Sequence, residues 1–470
     1  MSRIELSKTL ASLPVEWPSD PVPDIQAHLR ASKEKLVVID DDPTGSQTVH
    51  DTPILTGWDL DSLRDELRNE LPAFYILTNT RGMSLDKAKA INAEIGRNLH
   101  DLSQETSTRI AIVSRSDSTL RGHFPGEVAA LVEGWQADLD AWLIIPTLLG
   151  GGRYTIGDIH YVADGDWLVP VGESPYAKDA TFGFHSSDLK DWVEEKTDGA
   201  VTSAQVQSIS LKEIRGGGPA AVEKHLLELP KGSICVVNAV SLRDLEVFTL
   251  GVLAAERQER RFIYRTGPSF VPVRIGLRPY PLLDQSDLPP MDTNAGGLIV
   301  VGSYVPNTSR QIQILQQQDL VCSIEVDVEN LLVAERRESE IELASQRVNQ
   351  ELARGNDTLL FTSRTLVSGQ DGEKSLEIGQ IVSSGVISIL KRVSVRPRYV
   401  LAKGGITSSD VATEWLGVKR AMVLGQISRG ISVWQLGPES RYDGLIYIVF
   451  PGNVGNPESL AEVVSMVQAR

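Results

Sequence analysis

Short, continuously apolar, β-rich runs recur along this chain at helix-length intervals. In the first half they are KLVVID (35–40), FYILTN (74–79), RIAIVS (109–114), AWLIIP (141–146), SICVVNAV (233–240) and RFIYRT (261–266). Continuous apolarity, rather than alternation, marks strands that are covered on both faces. The spacers SLDKAKAINAEIGRNLHDLS (84–103) and GEVAALVEGW (126–135) carry helical periodicity with charged outer faces, as crossover helices do.

A second series follows: GLIVVGSYV (297–305), VCSIEVDV (321–328), TLLFTSRT (358–365), RYVLAKGG (398–405), AMVLGQIS (421–428), ISVWQLG (431–437) and LIYIVFPGN (445–453), with helices expected at 308–318, 331–354, 374–390, 408–416 and 457–469. Between the two series, 268–296 holds six prolines and no long periodic pattern. The sequence therefore predicts an α/β protein of two domains, 1–290 and 291–470, each with a mostly parallel or mixed sheet flanked by helices.

Charge and composition exclude several classes. The formal net charge is −16 and no Lys/Arg block occurs, which disfavours nucleic acid and anionic membranes as partners. The longest apolar runs are strand-sized and the first residues, MSRIELSKTL, show no secretory core, so no membrane span or export is expected. Cys235 and Cys322 each sit in an apolar run, as buried thiols of a reducing, cytoplasmic compartment do.

Ligands of open α/β sheets bind beyond the carboxyl ends of the strands. At those ends the first domain carries Asp40, Asp41, Asp42, Thr44 and Gly45; then Asn79, Thr80 and Arg81; then Ser114, Arg115, Ser116, Asp117, Ser118, Thr119, Arg121 and His123. Carboxylates, hydroxyls and guanidiniums delivered by three strands to one edge suit a small, hydroxylated, anionic ligand. Extended geometry would turn Asp40 and Asp42 to one side and Asp41 to the other. The competing readings are structural: an Asx turn for the aspartates, an Asp117–Arg121 pair, and a hydrogen-bonded rather than proton-shuttling His123.

The second domain has glycines and small hydroxyls at its strand ends: "GSY" (302–304), "AKGGITSSD" (402–410) with Lys403, "GQISRG" (425–430) with Gly425, and "PGNVGNP" (451–457) with Asn453. Such loops point successive backbone N–H groups at phosphate oxygens. They predict a phosphate-bearing cofactor here and its acceptor in the first domain. No P-loop, dinucleotide fingerprint, HExxH, CxxC or GxSxG motif occurs.

In this order, "DDPTGS" (41–46), "NTR" (79–81), "SDSTLRGH" (116–123), "IIPT" (144–147), "GSY" (302–304), "KGGITSSDVA" (403–412) and "FPGNVG" (450–455) resemble the four-carbon acid sugar kinase family along nearly the whole chain. The resemblance implies an N-terminal domain for the sugar acid and a C-terminal domain for ATP. It matches Asp41, Thr44 and Gly45 to the family's acidic motif, places Arg81 in its second loop, and matches Asp117, Ser118 and Arg121 to its substrate element. It matches Ser303, Gly404, Gly405, Thr407, Gly452 and Gly455 to its nucleotide loops. The chain departs from the common pattern at Ile406, where many members carry an acidic residue, and at "NTRGMS" in the second loop.

The chemistry expected is phosphoryl transfer in a cleft between the domains, with Asp41 first and Asp42 second as the group that receives the hydroxyl proton. Arg81, Arg115 and Arg121 are candidates to clamp the acid's carboxylate, and Asp117 and Ser118 to bind its hydroxyls. Mg²⁺ is expected mainly on the ATP phosphates, its protein ligands being unassigned. The excursion 150–179, with Tyr154, His160 and Tyr161, reads as a cover over substrate, as a contact in a homo-oligomer, or as a packed hairpin. Rival readings are a nicotinamide-dependent oxidoreductase, a metal-dependent aldolase or hydratase, and a non-catalytic binding protein.

Overall fold

The computed structural model describes residues 3–42, 44–291, 293–303, 305–364 and 372–468, with the backbone alone over 372–377. Pro43 of the acidic motif and Tyr304 of "GSY" lie outside the described residues. The chain forms two compact units: Met1–Val49 with Gly57–Pro279, and His50–Thr56 with Tyr280–Arg470.

In the first unit seven strands run parallel in the order Gln207–Ile209, Ser233–Val237, Ala141–Ile145, Phe262–Thr266, Ile110–Arg115, Lys35–Asp40, Ala73–Leu77. Every residue of Lys35–Asp40 is buried, as its unbroken apolar run requires of a central strand. Helices such as Leu85–Thr106 and Gly126–Trp135 connect the strands. Pairing is in register at the carboxyl end: Asp40 lies opposite Leu77 and Arg115, and Arg115 opposite Thr266. That register gathers the polar strand ends at one edge.

The 150–179 excursion forms three antiparallel strands, Arg153–Ile156, Ile159–Asp164 and Trp167–Pro170, with Ile4–Glu5 completing a small separate sheet.

The second unit is mixed. Five strands, Ile446–Phe450, Tyr399–Lys403, Leu298–Val301, Thr358–Thr362 and Cys322–Val326, are parallel. Arg420–Ser428 and Ile431–Leu436 add antiparallel pairings, and the early segment Thr52–Leu55 pairs antiparallel with Arg420–Val423. This last strand was not anticipated. TPIL is too short to announce itself, and Pro53 argues against a central strand. Val301, Lys403 and Phe450 are mutually in register, so the loops after them leave the sheet side by side. Ile299, Leu401, Ile448, Ile312 and Leu460 are among the core residues beneath those loops.

Candidate functional site

The carboxyl edge of the first unit holds a network of buried ion pairs. Arg115 donates through Nη2 to Asp40 Oδ1 and, at 3.3 Å, to the Asp42 carbonyl, while the Asp42 amide donates to Asp40 Oδ1 at 3.0 Å. Both side chains are almost wholly buried. Burial pushes the Asp40 carboxyl up to about 7, against the pull of the Arg115 guanidinium. Gly45 packs onto this pair, and a Cβ there would collide with Arg115 Nη2 and Asp40 Oδ2.

Asp41 and Asp42 share a different arginine. Arg81 donates from Nε to Asp41 Oδ2 at 3.2 Å, from Nη2 to Asp41 Oδ1, and from Nη1 to Asp42 Oδ2 at 2.7 Å. Asp42 Oδ1 also accepts from the Thr44 amide at 2.8 Å and the Thr44 hydroxyl at 2.6 Å, closing an Asx turn. Burial raises the Asp42 carboxyl, but the Arg81 and Arg115 charges and the Thr44 hydrogen bonds outweigh it and hold it below the usual range. The strict alternation expected of the three aspartates fails because the strand ends at Asp40. The chain turns there, and Asp41 and Asp42 both reach Arg81.

The third strand end forms its own cluster. Arg121 Nε donates to Asp117 Oδ2 at 2.6 Å, the Thr119 hydroxyl donates to the same oxygen, and Arg121 Nη1 stands 3.5 Å from Asp179 Oδ2. Against its burial, Arg81 and Arg121 hold the Asp117 carboxyl well below the usual range. His160 Nε2 donates to the Ser118 carbonyl at 2.7 Å, and its Nδ1 meets the Thr155 hydroxyl at 3.0 Å. His123 Nε2 donates to the Met83 carbonyl at 3.0 Å, in the same loop as Arg81, and the ring packs edge-on to Phe182.

Two charged residues not singled out in the sequence join this edge. Glu127, in the first turn of Gly126–Trp135, is buried with Oε2 3.4 Å from the Thr80 hydroxyl. Arg265, on Phe262–Thr266, is 1% exposed; Nη2 donates to the Arg121 carbonyl at 3.4 Å, and its guanidinium lies 5.3 Å from the Trp192 ring centroid. Burial pulls Arg265 down to about 10 despite the negative charges of Asp41, Asp117 and Glu127. The arginine inside "RFIYRT" was the available signal, since an apolar strand carries a charge only where something meets it.

In the second unit the loops after Val301, Lys403 and Phe450 converge. Gly404 has φ +116°, and a Cβ there would lie 3.2 Å from Ser303 Cβ and 3.3 Å from Thr407 Oγ1. A Cβ on Gly452 would lie 3.0 Å from Ser303 Oγ. Thr308 Oγ1 stands 3.2 Å from the Gly452 carbonyl and 3.3 Å from Ser303 Oγ, and Arg364 Nη1 donates to the Ser303 carbonyl at 2.8 Å.

Lys403 is fully buried, with Nζ 3.7 Å from the Phe450 ring centroid and donating to the carbonyls of Pro451 at 3.1 Å and Gly452 at 3.4 Å. Burial pulls the ammonium down to about 7.

Gly405 opens the helical turn Gly405–Asp410, whose first amides have no intrahelical partner. Asn453 and Gly455 are exposed on the loop after Phe450. Gly425 is not brought to these loops. It lies within Arg420–Ser428 beside a bulge, in register with Val433 and through it Ile448 and Leu401, and a Cβ there would lie 3.3 Å from the Leu283 side chain. Among the described residues no group of three or more His, Cys, Asp or Glu is placed to hold a metal ion, and no helix is long and apolar enough to cross a membrane.

Two family models match the chain: a sugar-binding N-terminal domain over residues 36–274 and a nucleotide-binding C-terminal domain over 298–460. The chain is 25% identical over 363 residues to a D-erythronate kinase of Heliobacterium modesticaldum, covering 75% of each. It is 24% identical over 453 residues to a D-threonate kinase of Salmonella typhimurium, covering 92% of this chain and 98% of the other. Its fold is similar to the crystal structure of a Haemophilus influenzae protein of the DUF1537 family, at TM-score 0.63 and 17% identity over 91% of this chain and 99% of that one.

Proposed function

Since this chain belongs to the family that joins a sugar-binding N-terminal domain to a nucleotide-binding C-terminal domain, the four-carbon acid sugar kinase family, we propose that it transfers the γ-phosphate of ATP to a hydroxyl of a small, four-carbon sugar acid. The observation that carries this reading is the convergence of Asp41, Asp42, Arg81, Asp117 and Arg121 at one strand edge, in a chain whose other unit presents glycine loops around Ser303 and Lys403. The names of the two curated relatives support the substrate class.

In this mechanism Asp41 receives the proton of the acceptor hydroxyl while Arg81 holds its carboxylate in place. The hydroxyl O–H bond breaks as the oxygen bonds phosphorus, and the bond from phosphorus to the β–γ bridging oxygen breaks with its electron pair leaving on ADP. Arg121, partly exposed beside Tyr176, faces the acid's carboxylate; Arg115 serves the fold by neutralising Asp40. Ser303, Gly404, Gly405, Thr407 and Gly452 hold the phosphates, and Lys403 fixes the 451–452 loop. Mg²⁺, when bound, screens the phosphate charge, held mainly by the phosphates themselves and water.

The test is ATP consumption over a panel of four-carbon sugar acids, comparing wild type with Asp41→Asn and Arg121→Ala. Turnover of at least one acid, with each variant reduced about 10²-fold or more and nucleotide binding retained, is expected. Full activity in both variants would remove the site assignment, and no consumption with any acid would remove the substrate class.

A further inference from the structure

The glycine loops of the second unit hold a guanidinium that has no part in the mechanism above. Thr358–Thr362 lies beside Leu298–Val301 with Phe361 opposite Val301, so the chain leaving it through Ser363 and Arg364 emerges at the same carboxyl edge as Ser303. Arg364 bridges the two strand ends. Its Nη1 donates to the Ser303 carbonyl at 2.8 Å, while Nε and Nη2 both donate to Ser309 Oγ, at 3.2 and 2.8 Å. Ser309 stands near the start of the helix Pro306–Gln317, which follows the Ser303 loop.

An arginine carries five N–H donors in one plane. Ser303 and Ser309 take up three of them, and both acceptors are neutral. The remaining two, one on Nη1 and one on Nη2, belong to a side chain that is only half-buried. Such a pair suits two oxygens of one phosphate.

The charge is left unanswered as well. Among the described residues no carboxylate forms an ion pair with Arg364, and burial pulls the guanidinium below its ordinary value against the charge of Glu325. Keeping a charge in a partly dry place without a counter-charge costs stability until a ligand supplies one. Lys403, the cation that the sequence offers to the phosphates, is fully buried and directs Nζ to the Pro451 and Gly452 carbonyls, so its charge reaches a ligand only through the loop it holds.

We propose that Arg364 is a nucleotide-binding residue whose remaining Nη1 and Nη2 hydrogens hold two oxygens of one phosphate, with Ser303 and Ser309 as the positioning residues that set the plane of its guanidinium. The assignment rests on reading the Ser303, Gly404 and Gly452 loops as the phosphate cradle.

The test is calorimetric titration of ATP, ADP and adenosine into the whole protein without a sugar acid, for wild type, Arg364→Ala, Arg364→Lys and Ser309→Ala. Arg364→Ala should raise the Kd of ATP and ADP about 30-fold or more and that of adenosine less than about threefold. The dependence of the ATP Kd on salt should also flatten, because one attracting charge is gone. Arg364→Lys keeps the charge and loses the fork, so ATP should bind about fivefold or more weaker than to wild type. Ser309→Ala releases the guanidinium plane and should weaken ATP several-fold while leaving adenosine unchanged.

Equal weakening of ATP and adenosine would mean that Arg364 only shapes the loops, and would overturn the proposal, as would an unchanged ATP affinity in Arg364→Ala. Wild-type ATP affinity in Arg364→Lys would refute the two-oxygen contact even if Arg364→Ala failed to fold. A wild type that binds no adenine nucleotide would remove the kinase reading itself, which separates that failure from the failure of Arg364 alone.

Discussion

Arg81 meets Asp41 edge-on, donating Nε and Nη2 to the two carboxylate oxygens, and still reaches Asp42 with Nη1 at 2.7 Å. One guanidinium therefore fixes two successive carboxylates just past the end of their strand, where the backbone alone would not. A planar fork can do this and a point charge cannot. Arg81→Lys is accordingly expected to keep the fold and lower kcat about 10²-fold, through misplacement of Asp41, with little change in nucleotide affinity; steady-state kinetics and nucleotide titration separate the two effects.

The Arg115–Asp40 pair behaves differently, because it is closed off from solvent. Gly45→Ala would drive a methyl group into it. Separating a buried pair costs about 3 to 5 kcal/mol, so urea unfolding of Gly45→Ala should show a loss of that order, with activity in the remaining folded fraction reduced as Asp42 shifts.

Lys403 combines full burial with two carbonyl partners, and among the described residues no carboxylate bonds to it. Burial pulls its ammonium down to about 7, so the charged form predominates below that pH. Nucleotide binding that depends on this charge should weaken as pH rises from 6 to 8. In Lys403→Arg, whose charge does not titrate there, the weakening should be smaller; isothermal titration at each pH checks it.

His160 links the small sheet to the loop after Ile110–Arg115, with Nε2 on the Ser118 carbonyl and Nδ1 at Thr155. Burial lowers its ring from 6.5 to about 4. A depressed native value means the unfolded chain binds the proton more readily, so the stability from neutral His160 is present above pH 6.5 and lost as pH falls toward 4. The loss is worth about 3 kcal/mol, and chemical denaturation should show it in wild type and not in His160→Gln.

These residues also show where sequence reasoning stops. KLVVID, AWLIIP and LIYIVF are legible as covered strands because hydrophobic periodicity is a local property, and the glycines at 404 and 452 are legible because a loop beside a crowded neighbour has few residues to choose from. Thr52–Leu55 was illegible because its partner, Arg420–Val423, lies at the far end of the chain. Gly425 belongs in the sequence both to the strand run AMVLGQIS and to the strand-end stretch GQISRG, and only the register with Ile431–Leu436 decides for the strand.

The sequence alone determined that this chain builds two α/β domains and which charged and hydroxylated residues end their strands. Tertiary structure alone decided that Arg115 answers Asp40, that Arg81 answers Asp41 and Asp42, that His123 turns toward Met83, and that Glu127 and Arg265 enter the cluster. Strand patterns are set within a few residues by burial. Charge pairing is set by distances of a few ångströms between segments far apart in the chain, and local periodicity carries no record of those distances.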